Sequence, residues 1–541
     1  MIAAVANLAW LATQSRAARR FRHQLRAPVA TQEQVLRELL QRNAGSAFGK
    51  QHRFADIRTP ADFAARIPLA TYGDLEPWIH RIIRGEQSVL TCDPVTHLVP
   101  TSGSSGARKL IPFTAQLQRE FNHAIAPWIT DLYGRHPSVI FGPAYWSISP
   151  VSKSDQLENS TVPIGFDDDT SYLAGNRRRL AAAVMAVPSA LRDAADMETF
   201  FLLTLVCLLR RRDLRLISVW HPSFLLLLLD ALPRHWETII TTLRTGRLPD
   251  SLTLPIHMEQ ALELKAQPAR AREIQQFGPS QPHRFWPGLT ILSCWTDAHA
   301  SLSAAALARR FPGVTLQPKG LIATEAFVTL PLNGMHPVAV GSHYFEFIDE
   351  TGAIQSVASL QLDHKYEVVV TTGGGLWRYR LGDRVQVTGF VGRTPSLIFI
   401  GRAGHVSDLF GEKLTGEFVT GVITELSHHS LSPVRFAMLA PDSEPTSGVY
   451  TLFWEGATPP SATDLDRLLG ANPQYAWCRQ LGQLRPAQVF PINSGAEAAY
   501  LRRATLAGQK LGEIKPPTLV LTTDWAPYLR GLFTGGGGVK A

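Results

Sequence analysis

Cysteine is scarce in this 541-residue chain: Cys92, Cys207, Cys294 and Cys478 stand far apart, with no Cys-x-x-Cys and no cysteine–histidine cluster. That spacing excludes a disulfide framework and a zinc site, and it suits a reducing compartment. Long apolar runs are missing as well. Phe200–Leu209 is short, and Leu225–Leu229 is bracketed by Pro222 and Asp230, whereas a membrane span takes about 20 apolar residues. The stretch Ile2–Ala12 has no positive charge ahead of it and basic residues behind it, the reverse of a secretory signal. These runs predict buried helices in a cytoplasmic protein. Acidic residues are outnumbered, 45 against 53 Lys and Arg, for a formal net charge of +8. Arginines cluster at Arg177–Arg179 and Arg210–Arg212, with more at Arg16, Arg19, Arg20 and Arg22. No aromatic-interleaved RNA-binding motif or helix-turn-helix pattern accompanies them, so they read as solvated helix faces or loop tips.

What is present is apolar residue, 45% of the chain against 18% charged. That is enough for a large core and too long for one ordinary domain, so two unequal domains are expected. The first hundred residues have a helical texture. Thr31-x-x-Gln34 offers a capping box ahead of Val35, Leu36, Leu39 and Leu40, and Thr59-Pro60-Ala61-Asp62 offers a second helix start. Thr96–Pro100 looks like a strand entering a Ser/Gly loop, and residues 115–270 are mainly helical in pattern. From about 280, strands alternate with helices: Leu289–Trp295, Ser303–Arg310, Val314–Leu316, His343–Asp349, Tyr366–Thr372, Arg384–Phe390 and Ser396–Gly401. This indicates an α/β architecture. After Gly401-Arg402 the pattern restarts, with helices at Thr415–Leu426 and Ser461–Leu469 and strands at Val449–Trp454 and Gln488–Ile492. The expected division is therefore 1–402 and 403–541, ending in the flexible run Gly535–Gly538.

Three segments carry chemistry. In Pro100-Thr-Ser-Gly-Ser-Ser-Gly-Ala-Arg-Lys109, glycines let backbone N–H groups converge, hydroxyls add donors, and Lys109 adds a mobile cation. Such a cradle suits a polyphosphate. Its spacing is neither a Walker A loop nor a dinucleotide fingerprint. A plain linker is the rival reading, and the flanking apolar segments weaken it. In Tyr379-Arg-Leu-Gly-Asp383, a fixed carboxylate after a glycine could accept both hydroxyls of a ribose, though Gly-Asp is also a common turn. In Gly320-Leu-Ile-Ala-Thr-Glu325, a carboxylate beside a hydroxyl could hold magnesium, or the pair could cap a helix.

In this order, and with Gly401-Arg402 closing the larger part, these segments resemble the adenylate-forming superfamily of acyl-CoA synthetases, luciferases and peptide-synthetase adenylation domains. A narrower resemblance is to the Gretchen Hagen family of acyl-acid amido synthetases, known from plant auxin responses and with bacterial members. It rests on Thr101-Ser-Gly-Ser-Ser-Gly106 with Lys109 and Ile111-Pro-Phe-Thr114, and on Val219-Trp-x-Pro222-Ser-Phe-Leu-Leu226. It rests also on His343-Tyr-Phe-Glu-Phe347, on Tyr379-Arg-x-Gly-Asp383-x-Val385-x-Val387-x-Gly-Phe390, and on Phe399-x-x-Arg402 followed by Glu412-Lys413. The likeness covers about residue 30 to about residue 525. The second motif departs, reading Ile322-Ala-Thr-Glu325 where plant members commonly have a double serine.

The resemblance implies a large N-terminal domain with a β-barrel portion flanked by sheets and helices, and a smaller mobile C-terminal domain. It implies ATP, magnesium, and conjugation of an acyl acid to an amino acid or other amine. Carried over by position, Thr101, Ser102, Gly103, Ser104, Ser105, Gly106 and Lys109 would hold the phosphates. Thr324 and Glu325 would meet the AMP phosphate, with Glu325 also on magnesium; Asp383 would bind the ribose, and Arg402 would lie near it at the hinge. Lys413 and Lys515 both fall where the family brings a lysine toward the nucleotide. Small-molecule substrates, no nucleic acid, no membrane and a monomeric state complete the expectation. Rivals are an acid–CoA ligase sharing the first half-reaction, a basic nucleic-acid-binding protein, and an inactive interaction module.

Overall fold

In the computed structural model, the described residues are 2–101, 109–147, 160–165, 180, 183–404, 406–410, 412–428, 430, 433–442, 448–506, 509 and 514–529. They group into two compact units, the first comprising 1–220, 228–295 and 310–399 and the second comprising 221–227, 296–309 and 400–541.

The first unit opens with two long helices, Ile2–Gln24 and Pro28–Asn43. The second of these starts before the expected Thr31 cap. Pro28 occupies its first turn, where a fixed φ and a missing N–H carry no penalty. Thr31 therefore lies inside the helix, and its hydroxyl donates back to the Ala27 carbonyl at 2.8 Å. At Thr59 the expected capping box is present: Asp62 N–H donates to Thr59 Oγ1 at 3.1 Å and Thr59 N–H to the Asp62 carboxylate at 2.9 Å. Next comes an antiparallel ribbon, Val95–Thr101 with Lys109–Thr114, leading directly into the helix Ala115–Arg135.

Four short parallel strands form a second layer, ordered Ala144–Trp146, Leu216–Ser218, Ile291–Cys294 and Thr315–Pro318. Helices connect them, as parallel pairing requires. The apolar run 200–209 is a fully buried helix segment within Met197–Arg210, and Leu225–Leu229 lies within the helix Pro222–Asp230. Among the described residues no helix is long and apolar enough to cross a membrane. The basic run 210–212 is engaged internally: Arg210 donates to the Leu262 and Glu263 carbonyls, Arg211 pairs with Asp213, and Arg212 with Glu273. Arg177–Arg179 lie outside the described residues.

A third layer is a five-stranded antiparallel sheet ordered Thr394–Arg402, Tyr379–Val391, Lys365–Thr371, Tyr344–Ile348, Ile354–Ser356. Its inward residues Val368, Val370, Val385, Val387, Phe345 and Phe347 join the main core. Alternation of apolar and half-exposed positions along Tyr379–Val391 is what the residues of a half-buried strand dictate.

The second unit is built on a three-stranded mixed sheet. Phe436–Pro441 pairs antiparallel with Tyr450–Glu455, which pairs parallel with Gln488–Pro491. Helices Gly416–His428 and Ala462–Leu469 cover one side, the latter capped by Ser461, whose Oγ accepts Asp464 N–H at 3.0 Å. The strand Phe436–Pro441 and the helices Pro473–Gln480 and Ala496–Leu506 had no expectation from sequence. The run Gly535–Gly538 lies outside the described residues.

Candidate active site

The Ser/Gly loop springs from the end of the antiparallel ribbon. Thr101 and Lys109 are paired across it, so the two ends of the loop are held against each other. Ser102, Gly103, Ser104, Ser105 and Gly106 lie outside the described residues. Lys109 Nζ stands 5.8 Å from the ring centre of Tyr72, whose hydroxyl accepts the Leu110 N–H at 2.9 Å. Burial raises the pKa of Tyr72 and keeps it a neutral phenol.

Thr324 and Glu325 do not cap a helix. They form the tip of a tight hairpin: Ile322 bridges Phe327, and Ala323 N–H donates to the Ala326 carbonyl at 3.0 Å. Gly320 begins the approach at φ +73°, where a Cβ would come within 2.6 Å of Thr329 Oγ1. That hydroxyl accepts the Leu321 N–H at 2.8 Å. The Glu325 carboxylate is buried, and Thr324 is half-buried.

Asp383 sits in a break of the sheet register. Arg380 pairs with Val369 and Arg384 with Glu367, so Leu381, Gly382 and Asp383 bulge opposite Val368 alone. Gly382 takes φ +77° there. Bulges of this kind re-aim a side chain out of its expected alternation. Asp383 is only 6% exposed.

These segments share a scaffold. Thr114, at the end of the loop's exit strand, donates its hydroxyl to the Gly373 carbonyl at 2.9 Å. Gly373 N–H donates to the Glu120 carboxylate at 3.0–3.1 Å, and Gly373 follows the strand that pairs with the Asp383 strand. Glu120 also accepts from His343 Nδ1 at 2.8 Å, and His343 Nε2 accepts the Phe327 N–H at 3.0 Å, just past the Thr324–Glu325 tip. Sequence reasoning missed Glu120. Its signal was a carboxylate set among Leu117, Phe121 and Ala124 on the apolar face of a helix.

It also missed Lys319. This buried lysine follows the last parallel strand, donates to Ser218 Oγ at 2.6 Å, and lies 4.9, 5.3 and 5.7 Å from the ring centres of Trp128, Trp220 and Trp146. Aromatic faces stabilise an ammonium removed from water. The cage stands at the carboxyl ends of the parallel strands, the edge where open α/β sheets receive ligands.

Arg402, Lys413 and Lys515 belong to the second unit. Arg402 ends its strand half-buried. Lys413 is exposed at φ +47°, immediately after the buried Glu412. Lys515 is exposed beside buried Ile514, which packs against Leu227 and Tyr500. His221 of the same unit is buried, and burial first, then the Lys515 ammonium, lowers its pKa to about 3.

Comparison with known proteins agrees along the whole length. Family models match as the GH3 family N-terminal domain over residues 17–316, the central domain over 337–402 and the C-terminal domain over 417–524. The chain is 25% identical, over 93% of each sequence, to a probable indole-3-acetic acid-amido synthetase of Oryza sativa subsp. japonica. It matches the solved structure of AtGH3.15 acyl acid amido synthetase in complex with 2,4-DB with a TM-score of 0.83 at 22% identity, covering 94% of each chain. A more distant fold match is 2-hydroxyisobutyryl-CoA ligase in the postadenylation state with 2-HIB-AMP, at a TM-score of 0.52 and 12% identity, covering 92% of this chain and 90% of that one. With all three family domains in order, the chain belongs to the GH3 family.

Proposed function

We propose that this chain is an ATP-dependent acyl-acid amido synthetase, which activates a small carboxylic acid as its acyl-adenylate and passes the acyl group to an amino acid or other amine. The observation that carries this is the common anchoring of the loop exit at Thr114, the Thr324–Glu325 tip and the strand preceding the Asp383 bulge on Glu120 and Gly373. Amido synthetases among its relatives, and a bound acyl-adenylate in a fold neighbour, support the same chemistry.

In the first step a carboxylate oxygen attacks the α-phosphorus of ATP, and the bond from that phosphorus to the bridging oxygen breaks, releasing pyrophosphate. In the second, an amine nitrogen attacks the acyl carbon and AMP leaves. The protein's contribution is position and charge. Thr101, the loop hydroxyls and N–H groups, and Lys109 hold the phosphates; Asp383 holds the ribose, with Arg402 nearby. Thr324 and Glu325 meet the α-phosphate. We place the domain boundary at 402, with 403–541 as the mobile part that supplies Lys413 or Lys515 as a further cation and helps exclude water from the mixed anhydride.

Magnesium fits this donor set. Among the described residues there is no group of three or more His, Cys, Asp or Glu that could hold a metal. A single buried carboxylate, Glu325, beside a hydroxyl suits an ion that keeps its waters and binds mainly phosphate oxygens. When bound, it would offset phosphate charge. The four cysteines are free thiols, which suits a reducing cytoplasm, and we take the enzyme to act as a monomer.

The test is pyrophosphate release over aromatic, indole and fatty acids, crossed with the common amino acids and with CoA. Amino-acid-dependent turnover is expected, and turnover with CoA alone would overturn the amide assignment. With a matching acid, Lys109→Ala and Asp383→Ala should each cut exchange of labelled pyrophosphate into ATP about 100-fold or more. Near-normal exchange in both would overturn the site.

A further inference from the structure

The pair Glu120 and His343 is fully buried, yet nothing in the chemistry above uses either group. Their geometry fixes what each must do. A backbone N–H can only donate, so His343 Nε2, 3.0 Å from Phe327 N, accepts and carries no proton. The ring proton therefore sits on Nδ1 and is given to Glu120 Oε2 at 2.8 Å. Glu120 then collects three donors, the others being Gly373 N–H at 3.0–3.1 Å and Gln116 Nε2 at 3.0 Å.

The surroundings leave the ring no alternative pose. Phe121 and Phe345 meet it edge-on at 5.8 and 5.9 Å. Its backbone is pinned by Gln32, which donates to the His343 carbonyl at 2.8 Å and accepts the Phe345 N–H at 2.7 Å. Gly373 is equally constrained, since a Cβ there would lie 2.2 Å from Gln116 Cγ and 2.5 Å from Glu120 Oε1. A polar pair is kept in a core only when its donors and acceptors are used.

From this we infer that His343 and Glu120 are positioning residues of the nucleotide site: the imidazole is a rigid strut that fixes the Thr324–Glu325 tip against the Gly373 turn and the exit helix of the phosphate loop. The inference rests on the proposed adenylation site. The strut ties the strand Lys109–Thr114 and the helix after it to the tip that would meet the α-phosphate, so its loss shifts Lys109 relative to Thr324 and Glu325.

Two substitutions cut the strut at opposite ends. His343→Asn keeps a donor for Glu120 and removes the acceptor for Phe327 N–H. His343→Gln reaches Phe327 with its carbonyl and gives up the bond to Glu120. Adenylation, followed by pyrophosphate exchange, should fall in His343→Asn by up to about 100-fold in kcat/KM for ATP, while the KM for the acid holds. His343→Gln should recover most of that loss. Amide hydrogen exchange should quicken at Phe327 in the first variant and at Gly373 in Glu120→Gln. Equal losses in both histidine variants, tracking an equal fall in melting temperature, would reduce the pair to packing and overturn the inference; so would wild-type kinetics in His343→Asn. The wild-type chain supplies a check free of folding defects: Phe327 and Gly373 amides exchanging as fast as exposed ones would overturn the strut by themselves. Failure of the wild type to bind ATP would instead sink the adenylation reading, with amide exchange still deciding the strut.

Discussion

The Tyr450 hydroxyl reaches both the buried carboxylate of Glu412 and Ser407 Oγ, the latter at 2.6 Å. The same carboxylate accepts the N–H groups of Leu409 and Phe410 at 2.7 and 2.8 Å. Burial first, then the neighbouring Glu412, raises the Tyr450 pKa, so the phenol remains a donor. Tyr450→Phe should leave Glu412 short of a partner and lower stability by about 1–3 kcal/mol. Denaturant unfolding of the two proteins checks this. An unchanged midpoint would show that the carboxylate finds another donor.

Arg378 and Glu346 form a buried two-pronged ion pair at 2.8 and 2.9 Å, and Arg378 also donates to the Ala64 and Ile67 carbonyls. Arg378→Ala strands the carboxylate in the core, and the expected loss is about 3–5 kcal/mol. Replacing both partners with apolar residues of similar size should restore part of it. Thermal melts of the single and double variants separate the two outcomes.

Two glycines at positive φ should respond differently to alanine. At Gly375 (φ +94°) a Cβ would come within 2.6 Å of Leu90 Cβ, whereas at Gly382 (φ +77°) nothing lies within 4 Å. Gly382→Ala should cost about 1–2 kcal/mol from backbone strain alone. Gly375→Ala adds overpacking of about 1–3 kcal/mol. If Gly382→Ala also raises the KM for ATP without a matching stability loss, the bulge aims Asp383 as proposed.

His221 gives the fold a pH dependence of definite sign. Burial, then Lys515, lowers its pKa to about 3 from an ordinary 6.5. Below 6.5 the unfolded chain binds a proton that the folded chain refuses, so this contribution is whole above that pH and declines as the pH drops toward 3. The slope approaches about 1.4 kcal/mol per pH unit. His221→Gln should flatten it, as denaturant midpoints at about pH 7.5 and about pH 5.5 will show.

The chain's order of elements was legible because local chemistry and tertiary structure agree there. Thr59 caps where its sequence says it should, and Val368, Val370, Val385 and Val387 alternate as their strands demand. Thr31 misled because a proline three residues earlier takes the helix start. Thr324 and Glu325 could equally have capped a helix; only the pairing of Ile322 with Phe327, set by contacts distant in sequence, makes them a hairpin tip. Glu120 and Lys319 stayed hidden for the same reason. The bonds to His343, Gly373 and Ser218 that place them reach 101 to 253 residues along the chain, and no local pattern announces a polar group that is satisfied across the core.

The ribbon beneath the Ser/Gly loop has one more consequence. Side chains on a strand alternate between two faces, so the pairing of Thr101 with Lys109 decides by parity which way the lysine points. Lengthening the stretch between them leaves that choice intact as long as the pair holds. Slipping the pairing by a single residue reverses it, and turns the cation away with every loop residue still present.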